Sequence, residues 1–440
     1  MRIVITGATG LLGRNLLYEV MRQNFSEAHK TQVFLLGRGS SGNVSLTERI
    51  RAQIADDAVD YLSSCRSMED PHEFLESSIH CIDADLDADR LNLSPADFAT
   101  LSREPIDIFF HVAALTDFRD TPPVIAALER TNIEGTRCVL ELVRALHVRQ
   151  FCYVGSAYSC GSQSGHIEPD YIHTAERFRN PYERTKLEAE LLVRSANDLG
   201  HVKRRIFRAS TLCGRLLEQT PGAISKFDVF YSWAAWFLRL KVKTTGKWEG
   251  RYVDNSELDL RACYSLESGL NIVPADYAAK ILYQVCAQDD PADSFHLAND
   301  NETPHSTYIE EMLRTVNISG VQQVSDIPSN MNELEKLYYR SVGAIFTPYI
   351  TAKPMLFDVS NLANVAKAAG LSCPPVDQEH FGVLMRYARY RDFGMNPARI
   401  LGLPPSLTQP RTATINSAAS ILTDVNFRPM RNSPSRMREQ

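Results

Sequence analysis

The sequence predicts an α/β fold, a doubly wound parallel sheet with a smaller mixed C-terminal region that caps the substrate. Two observations carry this. Apolar, β-branched runs at Ile3 to Thr6, Gln32 to Leu36, Ile79 to Asp83, Ile106 to His111 and Gln150 to Gly155 alternate with helical patterns through the first half, as strands do when helices cover both faces of a parallel sheet. The first run also ends in a glycine turn that opens directly into an amphipathic segment, Asn15 to Met21.

That turn reads Gly7-Ala8-Thr9-Gly10-Leu11-Leu12-Gly13. Glycines at such positions allow a tight turn, close approach of backbone to a pyrophosphate, and near contact between helix and strand. The following helix N-terminus offers unpaired N–H groups to anionic phosphates. The expected fold is therefore Rossmann-type, with Gly7, Thr9, Gly10, Leu11, Leu12 and Gly13 at a dinucleotide. The second strand ends Leu35-Leu36-Gly37-Arg38, where a site for NAD usually places an acid on the ribose hydroxyls. A guanidinium there suits a 2′-phosphate, so Arg38, with Arg14, points to NADP(H); a solvated loop arginine is the competing reading. Asp85-Leu86 after the third strand is expected at the adenine edge, and Ala113-Ala114 after the fourth leave room for the cofactor.

The polar stretch 40–78 carries Leu46, Ile50, Ile54 and Val59 at near-helical spacing and reads as a surface helical insertion. Residues 1–208 form the expected nucleotide-binding domain. Residues 209–402 form the cap, returning to strand character at Leu270 to Asp276. From 403 to 440 the chain is rich in Pro, Ser, Thr and Asn, with charges that are chiefly arginine near its end, and reads as a disordered tail.

Composition narrows the class. At 440 residues, 44% hydrophobic and 23% charged, with a formal net charge of -6, the chain is an ordinary globular one without a basic nucleic-acid footprint. Its nine cysteines are scattered, without zinc spacing, and read as reduced thiols of a cytoplasmic protein. The first strand begins at once, which leaves no room for a signal peptide, and no apolar run reaches the roughly 20 residues of a spanning helix. Phe227 to Leu240, the longest aromatic-apolar stretch, is broken by Asp228, Ser232 and Arg239. No metal site is expected, and a homodimer is compatible with the sequence without being required by it.

Tyr182 and Lys186 stand four apart in a run of helix formers that begins after Pro181, which puts both on one helix face. A phenol titrates too high for proton transfer at neutral pH, and an adjacent ammonium draws it down. The pair is a candidate acid/base unit. Ser156 follows the fifth strand, at the carboxyl end of the sheet where ligands bind, and supplies a hydroxyl to orient a carbonyl oxygen. His111 also ends a strand but reads as packed. Trp233, Trp236 and Phe237 either line an acyl tunnel or fill a core.

Together these segments resemble the extended short-chain dehydrogenase/reductases: Thr6 to Gly13, Asp83-Ala84-Asp85-Leu86, His111 to Ala114, Asn132-Ile133-Glu134-Gly135-Thr136, Ser156 and Tyr182/Lys186. Within that superfamily, Gly155-Ser156-Ala157-Tyr158-Ser159-Cys160-Gly161 and Asn180-Pro181-Tyr182-Glu183 are similar to the thioester-reductase and fatty-acyl-reductase branch. That branch reads Ser-Thr-Ala-Tyr; Ser156 replaces the threonine and keeps the hydroxyl. The resemblance implies that Ser156 and Tyr182 bond the substrate oxygen, that Lys186 holds the nicotinamide ribose and lowers the tyrosine, and that Asn132 steadies the active-site helix. It implies NADPH-dependent reduction of a free or carrier-bound acyl thioester or aldehyde. A ketone or secondary-alcohol oxidoreductase is the runner-up. A sugar dehydratase would need an acidic pair where Ala157-Tyr158 stand, and a purely binding relative would be expected to lack the tyrosine or lysine.

Overall fold

The computed structural model describes residues 1–41, 44–63, 71–172, 177–288 and 291–402; the stretch read as a tail lies outside them. Seven strands form the central sheet: β1 (Arg2–Thr6), β2 (Gln32–Gly37), β3 (Ile79–Asp83), β4 (Ile106–His111), β5 (Val148–Ser156), β6 (Lys203–Ala209) and β7 (Ser294–Leu297). Their order is β7-β6-β5-β4-β1-β2-β3, every neighbouring pair parallel. The central strands are continuous apolar runs because both faces are covered. β1 is buried along its whole length, with Ile5 level with Leu35 on one side and Phe110 on the other. Chain order reverses between β1 and β4, which opens a crevice at the carboxyl ends of these strands.

The helices that matter for the site are α1 (Leu11–Asn24), α2 (Pro122–Leu128), α3 (Gly135–Ala145), α4 (Pro181–Ser195), α5 (Phe230–Thr245), α6 (Ala275–Ala287), α7 (His305–Thr315), α8 (Val342–Ile350) and α9 (Gln378–Tyr390). α1 and α6 pack on one face of the sheet and α3 and α4 on the other, each over its own apolar cluster. A third cluster, built from α5, α7, α8 and α9, is the core of the cap. The stretch 227–240 accordingly lies in α5, whose Phe230, Trp233, Phe237 and Leu238 are buried in that core. Among the described residues no helix is long and apolar enough to cross a membrane.

The nucleotide-binding layer runs further than residue 208. β7 completes the sheet from residues 294–297, and α6 is laid against α1, so the cap is built from the segments between and after these elements. Four residues make too short an edge strand to stand out by periodicity. Of the stretch from Leu270 to Asp276, Leu270 and Ile272–Pro274 are strand, the latter pairing in parallel with Thr211–Cys213, while Ala275 and Asp276 already begin α6.

Within the 40–78 segment, residues 46–62 and 71–78 are helical, with Ser45 and Glu48 forming a reciprocal capping box at Leu46–Gln53. Its inner face is core rather than surface. Leu46, Ile50 and Ile54 are buried, and Tyr61 lies against Tyr18 at 5.5 Å. Val59 breaks the expected face at 51% exposed. A π-helical turn at Ile54–Ala58 adds a residue to the turn and hands the inward position to Ala58.

Candidate active site

A cleft of about 590 Å³ opens at the carboxyl ends of the strands. At its nucleotide end, Gly7 has φ +79°, and a Cβ there would lie 2.7 Å from the Ala113 nitrogen. A Cβ on Gly13 would lie 2.1 Å from the Gly7 oxygen. Only glycine fits either position. No side chain caps α1 at Gly10, so the first N–H groups of the helix remain for an anion. The open cradle and bare helix end fit a dinucleotide pyrophosphate.

Thr9, Gly10, Leu11, Leu12, Arg38, Asp85, Leu86, Ala113 and Ala114 all line the cleft. Arg14 does not. Its guanidinium lies 3.7 Å from the Asp57 carboxylate, in the buried seam between α1 and the 40–78 segment. Arg49 lines the cleft and donates to the Arg38 carbonyl. Arg130 and Thr131 line it as well, both held by Asp87, at 3.1 and 2.7 Å.

The chemical centre lies in mid-cleft, where Ser156, Tyr182 and Lys186 come together. α4 presents the last two from one face after an Asn180 N-cap and Pro181 at its first position. The hydroxyls of Thr116 and Ser156 lie near the Tyr182 phenol and favour its charged form, and Phe118 stands edge-on to its ring at 5.4 Å. Burial pushes the phenol up to about 12. Lys186 is also buried; its ammonium donates to the Val154 carbonyl at 2.8 Å and sits 4.7 Å from the Tyr153 ring centroid. Burial brings it down to about 7, with Glu190 opposing. The expected depression of Tyr182 by its lysine is therefore not what the protein displays by itself, because Lys186 is engaged by the strand and shares Tyr182's low-dielectric surroundings.

Asn132 occupies a π-helical turn, Glu129–Glu134, between α2 and α3. Its amide accepts from the Leu115 N–H at 2.8 Å and donates to the Leu115 carbonyl at 3.0 Å and the Thr185 hydroxyl at 3.2 Å. One side chain thus ties the loop that carries Thr116 to the helix that carries Tyr182. His111 is packed, bonded to Thr6 and Thr136 at 2.8 and 3.2 Å and pushed by burial to about 3, which keeps it neutral.

Beyond Tyr182 the cleft turns apolar, lined by Phe230, Trp233, Leu270, Tyr308, Phe346 and Ile350. Of the three aromatics singled out in the sequence, Trp233 reaches the cleft, stacked on Phe346 at 5.4 Å. Trp236 and Phe237 pack in the cap core. Thr211 lines the cleft and pairs with the Tyr158 hydroxyl at 3.1 Å, whereas buried Asp276 accepts the N–H groups of Leu216, Leu217 and Glu218 and holds a loop. Arg49, Thr116, Phe118 and Tyr349 are site residues that the sequence reading did not name. Among the described residues there is no cluster of metal ligands.

This geometry has counterparts. One polypeptide of the linear gramicidin synthase of Brevibacillus parabrevis is 23% identical over 399 residues, 87% of this chain but 7% of that protein. A probable fatty acyl-CoA reductase 5 of Arabidopsis thaliana is 26% identical over 180 residues, 40% of this chain and 35% of its own. The terminal R domain of the myxalamid PKS-NRPS pathway superposes with a TM-score of 0.66 at 20% identity, covering 89% of this chain and 91% of that one. The model of the male sterility protein family matches residues 5–282, from the strand before the glycine turn through most of α6. The chain belongs to that family.

Proposed function

We propose that the protein is an NADPH-dependent reductase of acyl thioesters and of the aldehydes derived from them. One observation carries the reading: a single cleft runs from the glycine cradle, past Ser156, Tyr182 and Lys186, into an apolar slot walled by Trp233 and Phe346. An acyl chain in that slot sets its carbonyl beside the hydroxyls of Ser156 and Tyr182. The likeness to fatty acyl-CoA reductases and to a reductase domain of a peptide and polyketide assembly line supports the same substrate class, delivered as a coenzyme A ester or on a carrier.

When bound, the nicotinamide supplies the hydride. The protein's part is to hold and protonate the carbonyl oxygen. Ser156 Oγ already accepts from the Tyr158 N–H at 3.2 Å, which leaves its own hydrogen to donate to the substrate. Tyr182 is a neutral phenol at working pH, the form a general acid needs, and gives its proton to the oxygen as negative charge develops there. Lys186, buried in the same cleft, would regain its charged form once polar and anionic ligand groups stand beside it and would then favour the transient phenolate. Asn132 keeps Thr116 and α4 in register. With a thioester, the first adduct collapses as its hydroxyl proton leaves and the thiolate takes up a proton to depart as the thiol, which gives an aldehyde; reducing that aldehyde to the alcohol would need a second NADPH in exchange for the spent cofactor.

The test is NADPH consumption by the purified protein with octanoyl-CoA, octanal and 2-decanone, NADH in parallel, and products identified by mass spectrometry. Octanal or octanol from the thioester supports the proposal. Turnover of the ketone alone would give the second reading, a carbonyl reductase with the same acid, and no consumption with any of the three would refute both.

Cofactor choice makes a separate prediction. Arg38→Ala and Arg49→Ala should each lower kcat/KM for NADPH roughly 10- to 100-fold, the worth of a charge-assisted hydrogen bond to a phosphate. NADH should change little. Parallel losses for both cofactors would show that the arginines serve the fold or the shared ribose and not a 2′-phosphate.

A further inference from the structure

Tyr349, on α8, sits where the cap meets the catalytic helix. Its ring lines the cleft, edge-on to Tyr158 at 5.6 Å and tilted on Phe118 at 6.2 Å, and Phe118 is the ring that flanks Tyr182. Its hydroxyl is engaged by the first turn of α4. It accepts from Asn180 Nδ2 at 2.6 Å and lies close enough to the Glu183 carboxylate to favour its charged form. Asn180 uses the other end of the same amide, Oδ1, to cap α4 by accepting from the Glu183 N–H at 3.1 Å. Glu183, fully buried one residue after the acid, also takes the Arg179 N–H at 3.0 Å and its guanidinium at 3.2 Å, and that guanidinium lies 5.1 Å from the Tyr349 ring centroid.

A buried carboxylate is costly unless each of its partners is in place. Burial raises Glu183, and both Arg179 and the Tyr349 hydroxyl act against that rise. Packing alone would be met by an apolar residue at 183. The hydroxyl of a cap residue instead accepts from the residue that caps the turn carrying Tyr182, and its ring lines the cleft.

We propose that Tyr349 is a positioning residue for Tyr182: it joins the cap to the catalytic helix through Asn180 and Glu183, so that the acid is set in place by the same side chain that lines the cleft. This rests on the reading of Tyr182 as the acid. The link acts through geometry, and its loss lowers turnover without touching the cofactor.

The experiment compares Tyr349→Phe, which keeps the ring, Asn180→Ser, which keeps a capping oxygen but is one atom shorter than the amide that reaches Tyr349, and the double variant. All are assayed with octanal and octanoyl-CoA, with hydrogen exchange of the 182–186 amides in the NADPH complex. Each single variant should lose about tenfold in kcat with KM for NADPH unchanged, the double should be no worse than the poorer single, and the amides should exchange faster. Unchanged kcat, or single losses that multiply in the double, overturns the proposal. If one variant fails to fold, the other decides it. Should no substrate be turned over, unchanged exchange overturns it. Tyr182→Phe run alongside separates the two readings: full activity there removes the acid assignment, whereas its loss with an unaffected Tyr349→Phe removes only the link.

Discussion

Tyr182→Phe should reduce kcat by about a thousandfold or more while NADPH binds as before. General acid catalysis alone is worth roughly 10²–10⁴-fold, and the phenol also shares with Ser156 the stabilisation of the developing oxyanion, where one donor is worth roughly 10²–10³-fold. The ring contacts survive the change. Phe118 still packs edge-on, and the helix keeps its Asn180 cap, so the variant isolates the hydroxyl from the fold. Two features make the loss hard to rescue. Ser156 and Thr116 are the hydroxyls near Tyr182 in the cleft, and an aliphatic hydroxyl is a far weaker acid than a phenol. His111 is near in sequence logic but sealed between Thr6 and Thr136 and neutral, so it cannot stand in. The measurement is single-turnover reduction of octanal with NADPH, plus cofactor affinity by fluorescence titration. A kcat within a few fold of the parent protein would end the acid assignment.

The parts of this site that were legible in the sequence are those fixed by local geometry. The glycines of the turn are required by a positive φ and by contacts of 2.1 to 2.7 Å that a side chain would violate. Tyr182 and Lys186 share a face because they are four apart on a helix. Ser156 could be placed because strand ends of a parallel sheet converge on one crevice. What was hidden depends on distant chain. Arg14 is one residue past the turn and looked like a phosphate ligand, but the helix carries it to Asp57 in an insertion whose packing no motif announces. Arg49 reaches the cleft only because the capping box at Ser45 starts its helix there; Ser-x-x-Glu, present at 45–48, was the signal that could have found it. Val59 fell out of phase through a π turn, which binary patterning does not encode. Tyr349 is 169 residues from Asn180, and Thr116 and Phe118 lie in a loop without periodicity, so only the folded chain brings them to Tyr182.

Lys186→Met should abolish useful turnover and, in the absence of cofactor, make the protein more stable at pH 6. Burial lowers the ammonium from its ordinary 10.5 to about 7. At about 1.4 kcal/mol per pH unit, this is roughly 5 kcal/mol by which the charged side chain disfavours the fold at pH below 7. The direction follows from proton counting. Between pH 7 and 10.5 the unfolded chain holds a proton on this lysine that the folded chain has released, so stability rises with pH across that window; below 7 both forms are protonated and the full cost remains. Methionine has a similar length and carries no charge. It forfeits the bond to the Val154 carbonyl, about 1 kcal/mol, and the contact with the Tyr153 ring. The variant should therefore exceed the parent by a few kcal/mol at pH 6, with the gap closing steadily as pH approaches 10. Comparing the two proteins cancels every other titrating group, so urea melts of both at pH 6, 8 and 9.5 suffice. A gap that is absent or independent of pH would mean that Lys186 stays fully charged in the folded protein without ligand. The cost would then be no reserve for the cofactor to release, whereas a closing gap shows a site that holds its lysine at a disadvantage until a dinucleotide ribose and phosphates arrive to relieve it.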